Sequence, residues 1–339
     1  MVMIARRIVF KGPMKVDIEE FGVPKVRRGQ ILIKTRATLI STGTELTMLS
    51  GRFPTGSFWD RITNYPLTPG YSNCGVVVNV GDEVKDFMVG DRVASKAPHA
   101  EYAVVESKEA VKVPDEVSDE EATFSTLAAT VLNGIRRADI SLGETVVILG
   151  LGILGQLACQ FARLSGGFPV IAVDLSDKRL EIAKKLGVKL ALNPKRDDVD
   201  GEIKKATNGK GADIVFEVTG NPEVVSWGLK LTRRQGRFIL LSSPRGPTTI
   251  DFHDEVNWPS RVIIGAHTTS HPEFETPYNP WTRRRNVELF LNLVKEGLVN
   301  VKDLITDRYP WHKAKDAYME LLDPLGERLK RLGVILDFS

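Results

Sequence analysis

The sequence predicts an α/β fold in which a doubly wound parallel sheet is inserted into a β-rich domain. Two observations predict it. Residues 145–174 read strand, glycine turn, helix, strand, acid, and the pattern changes on either side of that stretch. Before about residue 125, short strands follow one another between Gly and Pro turns. From residue 145, strands alternate with helical segments, the pattern of crossover connections in a parallel sheet.

The β-rich part comes first. Strands are expected at 7–10, 31–37, 75–80, 92–94 and 102–105, separated by turns such as Lys11-Gly12-Pro13 and Gly90-Asp91. Such a set folds as a folded-over barrel. A helix is expected over 126–137. Strands then fall at 145–149, 170–173, 190–192, 214–217, 238–241 and 262–264, with helices at 178–186, 201–207 and 223–231 between them. A Pro- and aromatic-rich loop, 267–286, precedes an amphipathic helix carrying Val287, Phe290, Leu291, Val294 and Leu298. A helix at 314–322 and a strand at 333–336 close the chain. The domains are read as 1–125, 126–265 and 266–339, the last returning to the first.

The stretch 145–174 carries chemistry. Gly150 permits a tight turn, Gly152 lets a pyrophosphate approach the backbone, and Gly155 lets the helix pack on the sheet. The N–H groups of Gly152, Ile153 and Leu154 then face the phosphates. Asp174, 24 residues beyond Gly150, ends the second strand, where a carboxylate accepts hydrogen bonds from a ribose diol and repels a 2′-phosphate. The reading is a dinucleotide site for NAD(H), with Lys178 and Arg179 keeping NADP open.

Composition bounds the rest. Of 339 residues, 42% are apolar and 26% charged, which describes a globular chain rather than a disordered one. A net charge of +3, with basic and acidic residues interspersed, gives no reason to expect nucleic acid as a partner. No apolar run reaches the roughly 18 residues of a membrane span, and the N-terminus turns basic too early for a signal peptide, so a cytoplasmic protein is expected. The two cysteines, Cys74 and Cys159, cannot build a Cys-rich zinc site.

Several stretches resemble the medium-chain dehydrogenase/reductase superfamily along essentially the whole chain. These are Gly81-Asp82-Glu83-Val84 through Val89-Gly90-Asp91-Arg92-Val93, Ala100-Glu101-Tyr102, and Phe216-Glu217-Val218-Thr219-Gly220. The resemblance implies a GroES-like catalytic domain around a Rossmann domain, and a homodimer or homotetramer. Against that family's pattern, the zinc-ligand positions fall on Thr42, Tyr71 and a residue at or near Thr126, and Ser72 replaces the family's Glu. Neutral hydroxyls are poor zinc ligands, so a zinc-independent member is expected, with no metal. Ile40-Ser41-Thr42-Gly43-Thr44-Glu45 and Tyr65-Pro66-Leu67-Thr68-Pro69-Gly70-Tyr71 are similar to the subgroup named for the bacteriochlorophyllide dehydrogenase. That likeness licenses a subgroup, not a pigment substrate.

The same resemblance implies further contacts. Arg179 adjoins the adenosine ribose, and Thr219 and Gly220 lie under the middle of the cofactor. Ser242 and Ser243 face the nicotinamide ribose and carboxamide, and Thr130 packs on the ring. For catalysis Thr44 matches a proton-relay hydroxyl, with Thr42 and Tyr71 beside it. Tyr71 would serve as general acid if a neighbouring cation lowered its pKa. Glu45 matches an acidic supporting residue. Asn133, His267 and His271 are candidate substrate contacts, while Arg283, Arg284 and Arg285 read as a subunit contact or a solvated helix start.

The expected activity is NAD-dependent hydride transfer on a small polar alcohol, polyol or sugar-type substrate. A reductase of activated double bonds and a non-catalytic dinucleotide-binding protein are the alternatives.

Overall fold

The computed structural model describes residues 3–323 and 327–339. It divides into two compact units, residues 1–127 with 284–339, and residues 128–283. Among the described residues no helix is long and apolar enough to cross a membrane.

The first unit opens with a hairpin, β1 (Ile4–Gly12) and β2 (Lys15–Gly22), forming its own two-stranded sheet. There follow β3 (Gln30–Leu39), α1 (Thr44–Ser50), α2 (Phe58–Ile62), β4 (Asn73–Val80), β5 (Arg92–Ser95), β6 (Tyr102–Glu106), β7 (Val111–Lys112), α3 (Asp119–Ala122) and α4 (Ser125–Ala138). The second unit continues with β8 (Val146–Leu149), α5 (Ile153–Leu164), β9 (Val170–Val173), α6 (Asp177–Lys185), β10 (Leu190–Leu192), α7 (Val199–Ala206), β11 (Ala212–Glu217), α8 (Pro222–Leu231), β12 (Thr232–Leu240) and β13 (Val262–Gly265). The chain ends with α9 (Arg283–Lys295), β14 (Ile305–Pro310), α10 (Ala314–Leu322) and β15 (Gly333–Asp337).

In the first unit the sheet order is β14-β15-β3-β4-β5-β7, with β6 also paired to β3. β3 is the backbone of this sheet. One edge pairs with β4, while the other is shared between β6 at residues 30–34 and β15 at residues 37–39. A strand that changes partner along its length bends the sheet, and register shifts at Leu32/Ile33 and Thr35/Ala37 mark the bends. The pairing path does not close among the described residues, so the expected barrel is a curved, branched sheet. Its core joins Ile8, Phe10, Ile40, Leu46 and Leu49 to Trp311, Ala317, Tyr318 and Leu336, so that residues from both ends of the chain share one apolar cluster.

The second unit carries a six-stranded parallel sheet in the order β10-β9-β8-β11-β12-β13. All four residues of β8 and of β9 are buried, as crossover helices on both faces require. The strand order reverses between β8 and β11. In an open sheet of this kind that is the point where ligands bind, outside the carboxyl ends of the strands.

The expected helix at 201–207 runs instead over Val199–Ala206, because Asp198 caps its start through the Gly201 N–H. A larger correction concerns residues 266–283, expected with the first domain but lying in the second unit. Contacts to α4 hold them there. Asn133 donates to Ser270 Oγ at 2.7 Å, His271 Nε2 meets the Ala129 carbonyl at 3.1 Å, and the Arg136 guanidinium lies 3.2 Å above the Trp281 ring.

The glycine turn after β8 is set by close packing. A Cβ on Gly155 would stand 1.9 Å from the Gly150 carbonyl oxygen, and Gly150 itself has φ +95°. Replacing Gly155 with Ala therefore pushes α5 off the sheet. Denaturant unfolding of Gly155→Ala is expected to show a loss of at least about 2 kcal/mol, and an unchanged midpoint would refute this packing.

Candidate functional site

In the second unit the glycine turn sits at the switch point. α5 starts at Ile153 with Gly152 as its N-cap, and no side chain caps it. The first N–H groups of a helix lack intrahelical partners, and here they collect at a helix start that favours an anion. A Cβ on Gly152 would meet nothing within 4 Å, so the backbone there faces open space. This cradle fits a dinucleotide pyrophosphate.

Asp174 ends the stretch just after β9. Its Oδ2 accepts the Leu151 N–H at 2.6 Å, its Oδ1 accepts the Ser176 N–H at 2.8 Å, and Arg179 lies 3.9 Å away. The carboxylate is thus tied to the glycine turn itself, and each oxygen keeps a lone pair for a further donor. Leu154 lies in the first turn of α5.

A second carboxylate, Glu217, was not among the expected site residues. It is fully buried at the end of β11. Its Oε1 accepts the N–H groups of Thr219 (2.6 Å) and Gly220 (3.1 Å) and also the Thr219 hydroxyl, while its Oε2 accepts the Ser242 hydroxyl. Glu217 therefore brings together Thr219 and Ser242, which the sequence had placed on separate strand ends. The sign was a charged residue completing the apolar run Ile214–Phe216, where only a satisfied carboxylate is tolerated. Ser243 next to it is exposed, and Thr130 is half-buried on α4.

The candidate substrate contacts of this unit have other partners. Asn133 is buried and its amide holds the 267–270 turn through Ser270 and the His267 carbonyl. The ring nitrogens of His271 meet two backbone carbonyls, Thr268 at 2.7 Å and Ala129 at 3.1 Å. His267 is exposed and accepts the Thr269 N–H at the start of a short turn. Of the three arginines, Arg284 pairs with Glu288 one turn along α9.

In the first unit the hydroxyl candidates converge on a third carboxylate. β3 leads through residues 40–43 into α1, placing Thr42 and Thr44, both half-buried, at the helix start and Glu45 fully buried behind them. The Tyr71 hydroxyl donates to Ser41 Oγ. The Ser41 N–H donates to Glu45 Oε1 at 2.9 Å. Glu45 Oε2 meets His99 Nε2 at 3.0 Å and accepts the Tyr318 hydroxyl, and His99 Nδ1 meets Thr38 Oγ1 at 2.7 Å.

His99 is held at both ends of its backbone, by Pro69 O and by the Ile8 N–H. Its ring lies against Gly70, where a Cβ would come within 2.7 Å of it. This explains the glycine before Tyr71. Neither His99 nor Tyr318 was among the expected site residues; Tyr318 lies on the buried stripe Ala314, Ala317, Tyr318, Leu321 of α10, where a phenol reads as core.

One expectation is corrected. Among the described residues no cation lowers the pKa of Tyr71. Burial, and then the nearby Glu45 carboxylate, push it up to about 12. The phenol stays protonated and donates.

Residues 27–115 match the family described as Alcohol dehydrogenase GroES-like domain, and residues 154–282 match that described as Zinc-binding dehydrogenase. The chain is 29% identical to L-threonine 3-dehydrogenase of Pyrococcus horikoshii over 341 residues, covering 91% of each. It is 26% identical to D-guloside 3-dehydrogenase of Escherichia coli K12 over 350 residues, covering 97% of this chain and 99% of the relative. Among solved structures, a Sinorhizobium meliloti 1021 protein bound to NADP superposes with a TM-score of 0.82 at 22% identity, covering 99% of both chains. The Escherichia coli CFT073 alcohol dehydrogenase rspB, complexed with NADH, gives 0.82 at 21%, covering 98% of this chain and 99% of the other.

The second family's description implies a zinc ion, and the residues here do not fit it. Thr42, Tyr71 and Thr126 offer neutral hydroxyls, and Tyr71 is hydrogen-bonded to Ser41. The nearby imidazole and carboxylate, His99 and Glu45, are closed on each other and on protein donors. No group of three or more His, Cys, Asp or Glu side chains among the described residues is gathered to hold a metal. The two domain types stand in the order of the medium-chain dehydrogenases/reductases that the sequence resembles, and the chain is a dehydrogenase-type oxidoreductase.

Proposed function

We propose that this chain is an NAD(H)-dependent, zinc-independent dehydrogenase of a small polar substrate, an alcohol, polyol or sugar derivative. The observation that carries the reading is the Tyr71 hydroxyl, held by Ser41 beside the buried Glu45 carboxylate, at a position where the resemblance places a metal ligand. The relatives named for L-threonine and D-guloside act on hydroxyl-bearing compounds by their names, which supports the substrate class.

The uncapped start of α5 holds the pyrophosphate, and Asp174 takes the adenosine ribose hydroxyls, with Arg179 beside it. A bound nicotinamide supplies or accepts the hydride. The protein handles the proton. In the reducing direction the Tyr71 O–H bond breaks and its proton passes to the substrate oxygen, while water, through Thr44 or Ser41, returns a proton to the phenolate. In oxidation the order reverses. Kept protonated by burial and the nearby Glu45 carboxylate, the phenol is a neutral donor to a developing alkoxide. The proposal includes a cytoplasmic homo-oligomer, for which β13 offers an edge strand with Val262 exposed.

Three outcomes test this reading. NADH is expected to bind at least about tenfold tighter than NADPH by fluorescence titration, and Asp174→Ser is expected to lower NADH affinity by about 10- to 100-fold through loss of charge-assisted hydrogen bonds. Equal affinity for the two nucleotides would overturn the NAD assignment. In a panel of polyols, glycosides and hydroxy amino acids with NAD, Tyr71→Phe is expected to lower kcat by about 100-fold or more while leaving NADH binding intact. Undiminished turnover in that variant would overturn the role of Tyr71.

A further inference from the structure

The polar network beneath Tyr71 is larger than a dehydrogenase site needs for substrate contact, and nearly all of it is out of solvent. Thr38, Glu45, His99 and Tyr318 have no accessible surface, and Ser41 has 5%. They come from separate parts of the chain: β3, α1, the loop before β6 and α10. Tyr318 is itself fixed by an edge-on contact with Phe10, at 5.1 Å between ring centres, so its hydroxyl reaches Glu45 from the middle of the apolar core.

A buried carboxylate–imidazole pair is a poor device for stability alone, since apolar side chains of similar volume hold a core at least as well. What such a pair fixes is direction. Glu45 presents one oxygen to the Ser41 N–H, which orients the turn between β3 and α1, and the Ser41 hydroxyl accepts the Tyr71 hydroxyl. The other oxygen is anchored by His99 and Tyr318, so the carboxylate cannot rotate away.

We propose that Glu45, anchored by His99 and Tyr318, is the positioning residue for Tyr71, acting through the Ser41 turn. The inference rests on the reading of Tyr71 as the group serving the substrate oxygen, and it gives the buried pair the place that a metal and its supporting carboxylate hold elsewhere in the family. The titratable or polar groups linked to Tyr71 are Glu45 and Thr44 from α1, Ser41 from the turn before it, and Tyr318 from α10. Glu45 disfavours the phenolate, whereas the Ser41 and Thr44 hydroxyls favour it. The two kinds of neighbour therefore predict opposite responses to mutation.

The test reads Tyr71 itself, independently of substrate. Phenolate absorbance is followed after rapid alkaline jumps in the full-length protein, and the Tyr71→Phe signal is subtracted. In wild type, Tyr71 is expected to ionise at about 12. In Glu45→Gln the midpoint is expected to fall by about one unit or more, toward the ordinary tyrosine value near 10. In Ser41→Ala, a truncation that leaves the carboxylate in place, a smaller fraction of Tyr71 is expected to ionise at each pH than in wild type. That second variant carries the test if Glu45→Gln does not fold. Tyr71 ionising alike in wild type and in the folded variants would overturn the inference. Shifts of the expected signs, combined with full turnover in Tyr71→Phe, would instead sustain the network and overturn the proposed function.

Discussion

The first unit depends on one buried carboxylate. Glu45 sits where water cannot reach it, and it is tolerated there because Ser41, Tyr318 and His99 all turn a polar atom toward it. Those partners tie together α1, α10 and the loop before β6, so the same interaction that satisfies the charge also brings the C-terminal segment back onto the N-terminal sheet. Removing the carboxylate's partners would leave an uncompensated charge in the core, which is why the surrounding positions admit so little freedom. Gly70 shows the constraint from the other side: any side chain there would collide with the His99 ring.

The second unit is organised in the same way by different acids. Asp174 holds the glycine turn through the Leu151 N–H, and Glu217 gathers Thr219, Gly220 and Ser242. Both lie at carboxyl ends of strands beside the point where the strand order reverses. In each case a carboxylate is satisfied by backbone N–H groups or hydroxyls, and so orders loops without needing a bulky side chain where a cofactor would lie. The two units thus solve a common problem, the fixing of short polar loops, with buried acids.

Much of the second unit was legible in the sequence because its signals are local. The apolar runs, the glycine spacing and the terminal Asp174 all lie within one strand–helix–strand stretch, and the parallel sheet follows from repeating that unit. The first unit was less legible because its order comes from distant pairs. Nothing within a few residues of His99 reveals that its ring reaches Glu45, 54 positions away, and Tyr318 is 273 positions from the same group. The assignment of residues 266–283 failed for a related reason: their partners, Asn133, Ala129 and Arg136, lie on α4, more than a hundred residues earlier. Tyr71 was read as a candidate hydroxyl beside a cation, but its nearest charge is the Glu45 carboxylate, whose approach depends on tertiary contacts.

In the proposed mechanism, hydroxyls steadied by Glu45 replace a metal ion. Zinc content of the purified, active protein, measured together with turnover after exhaustive chelation, checks this. No stoichiometric zinc and undiminished turnover are expected. One zinc per chain, with activity lost on chelation and restored by adding the ion, would contradict it.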